Sequence, residues 1–562
     1  MRQANARSWL ANMLVGLQLC TTRWLHGRRI AKAVRDPMRV QRALLARILA
    51  ENRNTTFGRQ HGFDKIGSYE AFVQQVPVHD FERLRPFVDA EIERGEAALT
   101  AQAPQSYVRT SGTTGRPKDI PLTPAHLDAL RDIHETAVAF QYRTCPEAFA
   151  GSILAIVSPA NEGMLPNGKS FGSASGTVAR NTPGPVQEKF VIPAAVLTIH
   201  DSHVKYLLIL RLALDRVDIS YVGAANPTTL LTLARLYREH QAELIRDLRD
   251  GTFFLSAEVP AEVAAVIRRR LRRSPGRADE LARLQAKMEA PRIADLWPEL
   301  RLIVTWTCAS AGVAVDALRR ELLPQTRILE LGYISSEFRG TVTLGKRAGS
   351  GLPTLSAHFF EFVEREQWDR GEPEFLTLAE IRKGIDYYVV VTTPSGLYRY
   401  FINDLVRVLG FLHKTPLLKF VQKGKGVTNI TGEKLYESQV LTAVRATLEG
   451  MGRNARFVMM LADDVARCYR LYVEPDSSAR PTAEALATDV DKRLAQLNIE
   501  YQAKRESQRL GPIEAHWLQA GLGDAYKRHC VQQGQREGQF KTIALAYRKD
   551  FSFDLDAHVD KA

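Results

Sequence analysis

The apolar positions of this chain follow two rhythms, and the rhythm changes along its length. The first stretch is helical in period. Residues from about Met1 to Glu51 read as helix, with Val40, Leu44, Leu45, Ile48 and Leu49 on one stripe. Asn52 to Gly62 reads as a polar loop. Ser68 to Phe72 starts a short helix with Ser68 as its cap, and Asp80 to Gly95 is a second. Pro124 to Tyr142 predicts a helix capped by Thr123. Asp201-Ser202 caps another that runs through Leu207, Leu208, Leu210 and Leu214. Pro227 to Leu248 predicts one helix with Leu230, Leu233, Tyr237 and Leu244 on a common face. Between them, Asn161 to Pro185 is rich in Gly, Ser and Asn and reads as a long loop.

The second rhythm is that of strands. Ile153 to Val157 and Ile219 to Val222 are short apolar runs. From Leu300 onward strand and helix signals alternate: Leu302-Ile303-Val304, then a helix over Val315 to Leu323, then Arg327 to Glu330. Such alternation predicts parallel α/β structure, whose ligands collect beyond the carboxyl ends of the strands. Ala357 to Val363 and Gly384 to Thr393 are further strands, and Pro416 to Val421 closes the large domain. In the second of these, Tyr387, Val389 and Val391 share one face and Tyr388, Val390 and Thr392 the other. The composition then shifts at Gln422 to Lys434, a polar stretch with glycines. Beyond it come helix Glu437 to Met451, strands Arg456 to Leu461 and Tyr469 to Val473, and helix Thr482 to Leu497. The expected fold class is therefore α/β. A large N-terminal domain of mixed sheets flanked by helices (1–421) is followed by a hinge (422–434) and a small α+β domain (435–562).

Composition narrows the partners more than the fold. The chain has 562 residues, 45% hydrophobic and 25% charged, which is the balance of a soluble globular protein. Its net charge of +13 admits a nucleic-acid partner. However, the densest basic run, Arg268 to Arg273 before the breaker Ser274-Pro275-Gly276, has no interleaved aromatics and reads as a solvated helix end. The five cysteines lack C-x-x-C spacing, which argues against zinc and against a disulfide framework and fits a reducing, cytoplasmic setting. No window is long and apolar enough for a membrane span. Arg7 to Leu25 reads as an amphipathic helix on the body, with a peripheral membrane contact as the lesser reading.

Candidate chemistry sits in a few stretches. Tyr107 to Lys118 (Tyr-Val-Arg-Thr-Ser-Gly-Thr-Thr-Gly-Arg-Pro-Lys) runs from a strand end through hydroxyls and glycines to a lysine. Glycines let backbone N–H groups converge on an anion, and Ser111, Thr113 and Thr114 add donors. The spacing is not that of the common P-loop, and a plain Ser/Thr/Gly turn is the competing reading. Leu331-Gly332-Tyr333-Ile334-Ser335-Ser336-Glu337 follows a strand at its carboxyl end. The third stretch, Gly396 to Val408, contains Tyr400-Phe401-Ile402-Asn403-Asp404. Gly538-Gln539-Phe540-Lys541 stands near the end of the chain. His200 and His203 flank a helix cap without further ligands at metal-binding spacing.

These stretches, in this order and with Asn54 to Phe63 and Phe359 to Phe362, resemble the acyl acid amido synthetase family. Its plant members conjugate auxin and jasmonate to amino acids, and it lies within the adenylate-forming superfamily of acyl-CoA synthetases and luciferase. The resemblance implies two steps: Mg-ATP and a carboxylic acid give an acyl-adenylate and pyrophosphate, then an amine, expected to be an amino acid, displaces AMP. It implies that Ser111, Gly112, Thr113 and Thr114 hold phosphates with help from Lys118. Tyr333 lies along the adenine, Ser336 reaches the α-phosphate, Glu337 holds Mg²⁺ and Asp404 accepts from the ribose hydroxyls. Lys541 swings in with a mobile small domain that turns about the glycines of the hinge.

The chain departs from the family pattern in two places. Phe401 and Asn403 stand where the third motif has arginine and glycine. Asn tolerates the left-handed backbone, so the turn can survive. At the hinge, Gln422-Lys423, or Gly424-Lys425 in a shifted register, replaces Gly-Arg, so Lys423 is the expected ribose-side cation. Two other functions remain open from sequence: transfer of the acyl group to a thiol (coenzyme A or a carrier protein), and a nucleotide-binding protein that has lost catalysis.

Overall fold

The computed structural model describes residues 2–110, 117–180, 184–309, 311–345, 349–424, 426–477, 480–533, 535, 540 and 542–560, without side-chain detail for 2–15, 180, 184 and 185. Two sheets organise the larger part. One is wholly parallel and runs Ser152–Ile156, Ile219–Ala224, Leu302–Thr305, Arg327–Glu330 in spatial order. It matches the expected strand–helix alternation. Helix Ser202–Leu214 covers it and is buried from Tyr206 to Leu214, which explains a nearly continuous apolar sequence there. Even Arg211 lies inside. Its guanidinium donates to the carbonyls of Asp247, Thr252 and Arg272, and burial lowers its pKa.

The other sheet is antiparallel: Phe359–Glu364, Asp386–Thr392, Tyr400–Leu412 and Thr415–Lys423. Its two faces differ as the alternation predicts. Tyr387, Val389 and Val391 join the large core beneath the N-terminal helices, and Tyr388 joins a separate cluster on the other side. A smaller sheet carries the hairpin Ser106–Thr110 and Lys118–Leu122.

Beyond Leu435 a distinct core forms around a further four-stranded sheet, Glu514–Trp517, Cys468–Pro475, Ala455–Asp463 and Leu545–Tyr547. Helices Glu437–Gly450 and Ala483–Leu497 pack on it.

Several local expectations change. The N-terminal helical stretch is two helices, Arg2–Ala33 and Pro37–Asn52, because Asp36 caps the second and Pro37 opens it. The stretch read as a loop from Asn52 to Gly62 contains helix Thr56–Gln60, capped by Thr55. The long Gly/Ser loop contains strands Gly163–Met164 and Ser170–Gly172 and helix Ala174–Arg180. The single helix expected over 227–248 breaks at His240 into Thr228–Glu239 and Gln241–Asp250. Pro275 stands at the first turn of helix Pro275–Lys287, where its missing N–H costs nothing, so Ser-Pro-Gly begins an element; the helix before it, Ala261–Ile267, stops ahead of Arg268, and the basic run 268–273 links the two instead of ending a helix. Among the described residues, no helix is long and apolar enough to cross a membrane. All five cysteines are free.

Candidate active site

The parallel strands Leu302–Thr305 and Arg327–Glu330 release the chain at the same end. Glu330 ties the two exits together. One of its oxygens accepts from the Thr307 amide at 2.7 Å and the Thr307 hydroxyl at 2.5 Å, and the other accepts from the Gly332 amide at 3.0 Å. Gly332 has φ +106°, and a Cβ there would meet the Thr341 carbonyl oxygen at 2.8 Å. Only glycine makes this turn, and the turn delivers Tyr333 into the buried wall.

Tyr333 lies flat against Phe420, with ring centroids 5.6 Å apart at 19°, and meets Phe338 edge-on. Its hydroxyl donates to Asp404 Oδ2 at 2.9 Å, and Lys423 Nζ donates to Asp404 Oδ1 at 2.8 Å. Asp404 itself is fully buried. Burial, then the Asp404 charge, pushes the Tyr333 hydroxyl well above its ordinary pKa, so it stays a donor. Burial opposes the Lys423 charge, but Asp404 and Glu337 outweigh it and hold its pKa above the usual lysine value.

A second chain of contacts runs alongside. Tyr400 donates to Glu337 Oε1 at 3.2 Å, and Lys118 Nζ donates to the Tyr400 hydroxyl at 3.3 Å. Burial and the neighbouring Glu337 raise the Tyr400 pKa strongly. Lys118 pairs with Thr110 across the hairpin, so the base of the glycine-rich loop opens beside Tyr400 and Glu337. Ser336 sits in the same turn as Glu337, closed by the Ile334–Arg339 bridge. Ser111, Gly112, Thr113, Thr114 and Lys541 lie outside the described residues.

The structure thus gathers Lys118, Tyr333, Ser336, Glu337, Asp404 and Lys423 around one end of the two sheets. Sequence reasoning gave Tyr400 no role, although it links Lys118 to Glu337. The signal was present: in strand Tyr400–Leu412, residues 400, 402 and 404 alternate onto one side. Phe401 faces away and stacks on Trp368, centroids 4.2 Å apart at 14°, in the cluster with Tyr388. Asn403 adopts the left-handed conformation at φ 59°, as its side chain tolerates. Gly424 N donates to its carbonyl at 2.7 Å, and a Cβ on Gly424 would strike the Asn403 side chain. The departures from the family pattern therefore have local structural places.

The donor set suits a nucleotide with a divalent cation. Glu337 Oε2 takes no bond from a described residue, which leaves a hard carboxylate oxygen for Mg²⁺. Among the described residues each Asp404 oxygen takes one bond and retains acceptor capacity for a hydroxyl. Beside Tyr333 opens a cleft of ≈ 390 Å³, walled by Trp306, Cys308 and Glu330 on one side and by Phe457, Phe540 and Thr542 on the other.

Family models match in order along the chain. The GH3 family N-terminal domain covers residues 27–328, the GH3 family central domain 351–423 and the GH3 family C-terminal domain 438–549. A probable indole-3-acetic acid-amido synthetase, GH3.2 of Oryza sativa subsp. japonica, is 24% identical over 89% of this chain and 87% of its own length. The jasmonoyl–L-amino acid synthetase JAR4 of Nicotiana attenuata is 24% identical over 90% of this chain and 91% of its own. A solved structure of the acyl acid amido synthetase AtGH3.15 in complex with 2,4-DB superposes with a TM-score of 0.83 at 21% identity, covering 95% of this chain and 96% of that one, which establishes a shared fold.

Proposed function

This chain belongs to the GH3 family, and from that premise we propose that it is an ATP-dependent, AMP-forming ligase joining a carboxylic acid to an amine, with an amino acid as the expected acceptor. The observation that carries the reading is the convergence of Lys118, Glu337, Asp404 and Lys423 on one wall, linked through Tyr400 and Tyr333.

The chemistry explains why a carboxylate needs this site. An amine does not attack a resonance-stabilised anion. In the first step a carboxylate oxygen of the acid attacks the α-phosphorus of ATP, and the bond to the β-phosphate oxygen breaks to release pyrophosphate. In the second step the amine nitrogen attacks the acyl carbon, AMP leaves with the C–O bonding pair, and the amine proton passes to solvent. Such transfers need positioning and charge stabilisation more than covalent help from the protein. Asp404 accepts from the ribose hydroxyls, and the Lys423 and Tyr333 donors hold its carboxylate in place. Lys118 and the loop 111–114 bind phosphate, Ser336 donates to the α-phosphate, and Tyr333 borders the adenine. Glu337 holds Mg²⁺, which neutralises phosphate charge when bound. Lys541 arrives with the small domain (435–562), which turns about the 422–434 segment. The apolar part of the cleft wall fits the body of a small organic acid. The free cysteines accord with a reducing compartment, and cytoplasmic action is part of the proposal.

The test is ATP–pyrophosphate exchange across a panel of aryl, alkyl and amino acids, with Lys541→Ala in parallel. Exchange with one acid class, lost in the variant, supports the reading. A folded protein that binds ATP but exchanges with no acid overturns it. Product analysis with amines against thiols separates the amide ligase from a thioester-forming one.

A further inference from the structure

Helix Arg2–Ala33 is held to the body along one side. Leu19 packs with Tyr142 against the cluster of Cys145, Ala148 and Phe149. Gly16 lies so close to helix Pro124–Thr144 that a Cβ would meet the Tyr142 hydroxyl at 2.9 Å. His26 Nδ1 stands 2.6 Å from the Thr136 hydroxyl, which itself donates to the Asp132 carbonyl at 2.7 Å, so the imidazole is the donor. At 3.6 residues per turn, positions 16, 19 and 26 share this inner side.

The outer side is apolar as well. Leu17, Trp24 and Leu25 are 64%, 57% and 47% exposed. Thr21, between them, returns its hydroxyl to the Leu17 carbonyl at 2.9 Å, so that polar group is satisfied within the helix. The Arg28 guanidinium lies over the Trp24 ring, 4.7 Å from its centroid. Of the ten large apolar side chains exposed among the described residues, three fall within these nine positions. Single exposed leucines are ordinary, whereas a cluster on one face marks a contact surface.

Charge says what covers it. Residues 1–35 hold seven Arg and Lys and no Asp or Glu, in a chain with 63 acids overall. Arg28, Arg29 and Lys32 are exposed beside the patch. Arg29 approaches Asp132 at 4.0 Å, while among the described residues Arg28 and Lys32 pair with no carboxylate. The partner is therefore anionic and apolar together. A second copy of this chain would set the basic face against itself. A nucleic acid has the charge but gives Leu17 and Leu25 nothing to enter. The helix is not apolar enough to cross a membrane, so it lies along one. The family match begins at residue 27, so the patch lies outside what the family pattern accounts for.

We propose that the outer face of helix Arg2–Ala33 is a docking surface for an anionic lipid bilayer. Leu17, Trp24 and Leu25 enter the boundary between headgroups and acyl chains, and Arg28 and Lys32 meet lipid phosphates. The proposal is independent of the ligase reading.

The test is flotation of the full-length protein with vesicles of phosphatidylcholine and phosphatidylglycerol, three to one, against phosphatidylcholine alone. Binding should be roughly tenfold tighter on the anionic vesicles. It should weaken as salt rises from about 0.1 M to about 1 M and the screening length falls from about 10 Å to about 3 Å. The double variants Leu17→Ser/Trp24→Ser and Arg28→Gln/Lys32→Gln change exposed side chains, so both should melt with the parent. Each should bind the anionic vesicles roughly tenfold more weakly. Trp24→Phe should keep binding and lose part of the tryptophan quenching by lipids with brominated acyl chains. No binding to anionic vesicles, equal binding to neutral ones, or parent-level binding by folded double variants would overturn the proposal. So would a parent dimer in solution that Leu17→Ser/Trp24→Ser splits, or tighter binding to a DNA duplex than to the anionic vesicles.

Discussion

The inner cluster around Asp404 and the contact between Asn226 and Phe540 lie at the same end of the molecule but are built on opposite terms. Asp404 is fully buried, and two donors from different segments, Tyr333 and Lys423, satisfy it. Both come from packed sheet or from a turn that only glycine can make. The Asn226–Phe540 contact is one amide on one backbone carbonyl, flanked by Arg235 and Asp524, whose side chains are 31% and 25% exposed. A charge-assisted bond away from water contributes more than a neutral one, and leaving either partner bare costs more still. The contrast lies in the kind of bond and not in access to water: the Lys423 side chain is 36% exposed, while Asn226 and Phe540 are 8% and 5% exposed.

The largest effect should come from breaking the charged side. Asp404→Ala removes the acceptor of two donors and the proposed ribose contact together. Pyrophosphate exchange should fall roughly 100-fold, and the melting free energy by about 2 kcal/mol as Tyr333 loses its buried partner. Asp404→Asn should recover most of the stability and little of the exchange, read by thermal melts and exchange rates side by side. If Asp404→Ala were milder in exchange than Asn226→Asp, which removes the amide donor to Phe540, the order of the two regions would be reversed.

Much of this arrangement was legible beforehand, and what was missed has a physical pattern. The parallel strands followed from short apolar runs alternating with helices, and Arg327–Glu330 came out with its bounds intact. Tyr333, Glu337 and Asp404 were singled out by the resemblance of their motifs to the family, since by residue type alone they read as a core aromatic, a first-turn acid and a turn cap. Tyr400 was missed because a buried tyrosine in a strand reads as core until its hydroxyl is seen between Lys118 and Glu337. Asn226 was missed because its partner is a backbone carbonyl 314 positions away, which no side-chain pattern can announce. The helix break at His240 was hidden because the apolar face continues across it: Leu233 and Leu244 both reach the same core.

The start of the helix at Glu437 sharpens the contrast. Glu437 opens helix Glu437–Gly450, is 3% exposed, and accepts from the Ala544 amide at 2.7 Å, three residues past Lys541. Its own amide donates to the Gly426 carbonyl at 2.8 Å. Burial pushes its carboxyl up to about 7 from an ordinary 4.5. The sign follows from proton binding: above pH 4.5 the unfolded chain releases this proton while the folded protein still holds it. The stability from this group is therefore complete below 4.5 and lost as pH rises through about 7. Glu437→Gln keeps the acceptor and removes the titration. Its advantage over the parent in melting experiments should grow by about 2 kcal/mol between about pH 5 and about pH 7. A flat difference would mean that water reaches this carboxyl.

The smallest effects are expected where the chain departs from its family's third motif, and they decide whether those departures disable the site. Phe401→Arg gives up the stack on Trp368 and costs about 1 kcal/mol. Asn403→Gly relieves a left-handed asparagine and returns at most about 1 kcal/mol. The double variant should melt near the parent. Its pyrophosphate exchange should also stay within about twofold, because Phe401 faces away from Asp404 and the turn at Asn403 already has its shape. A tenfold gain on restoring both residues would show that the altered motif limits this enzyme. The inner cluster would then be the weakened part, and the contrast between charge-assisted and neutral contacts would fail at its stronger end.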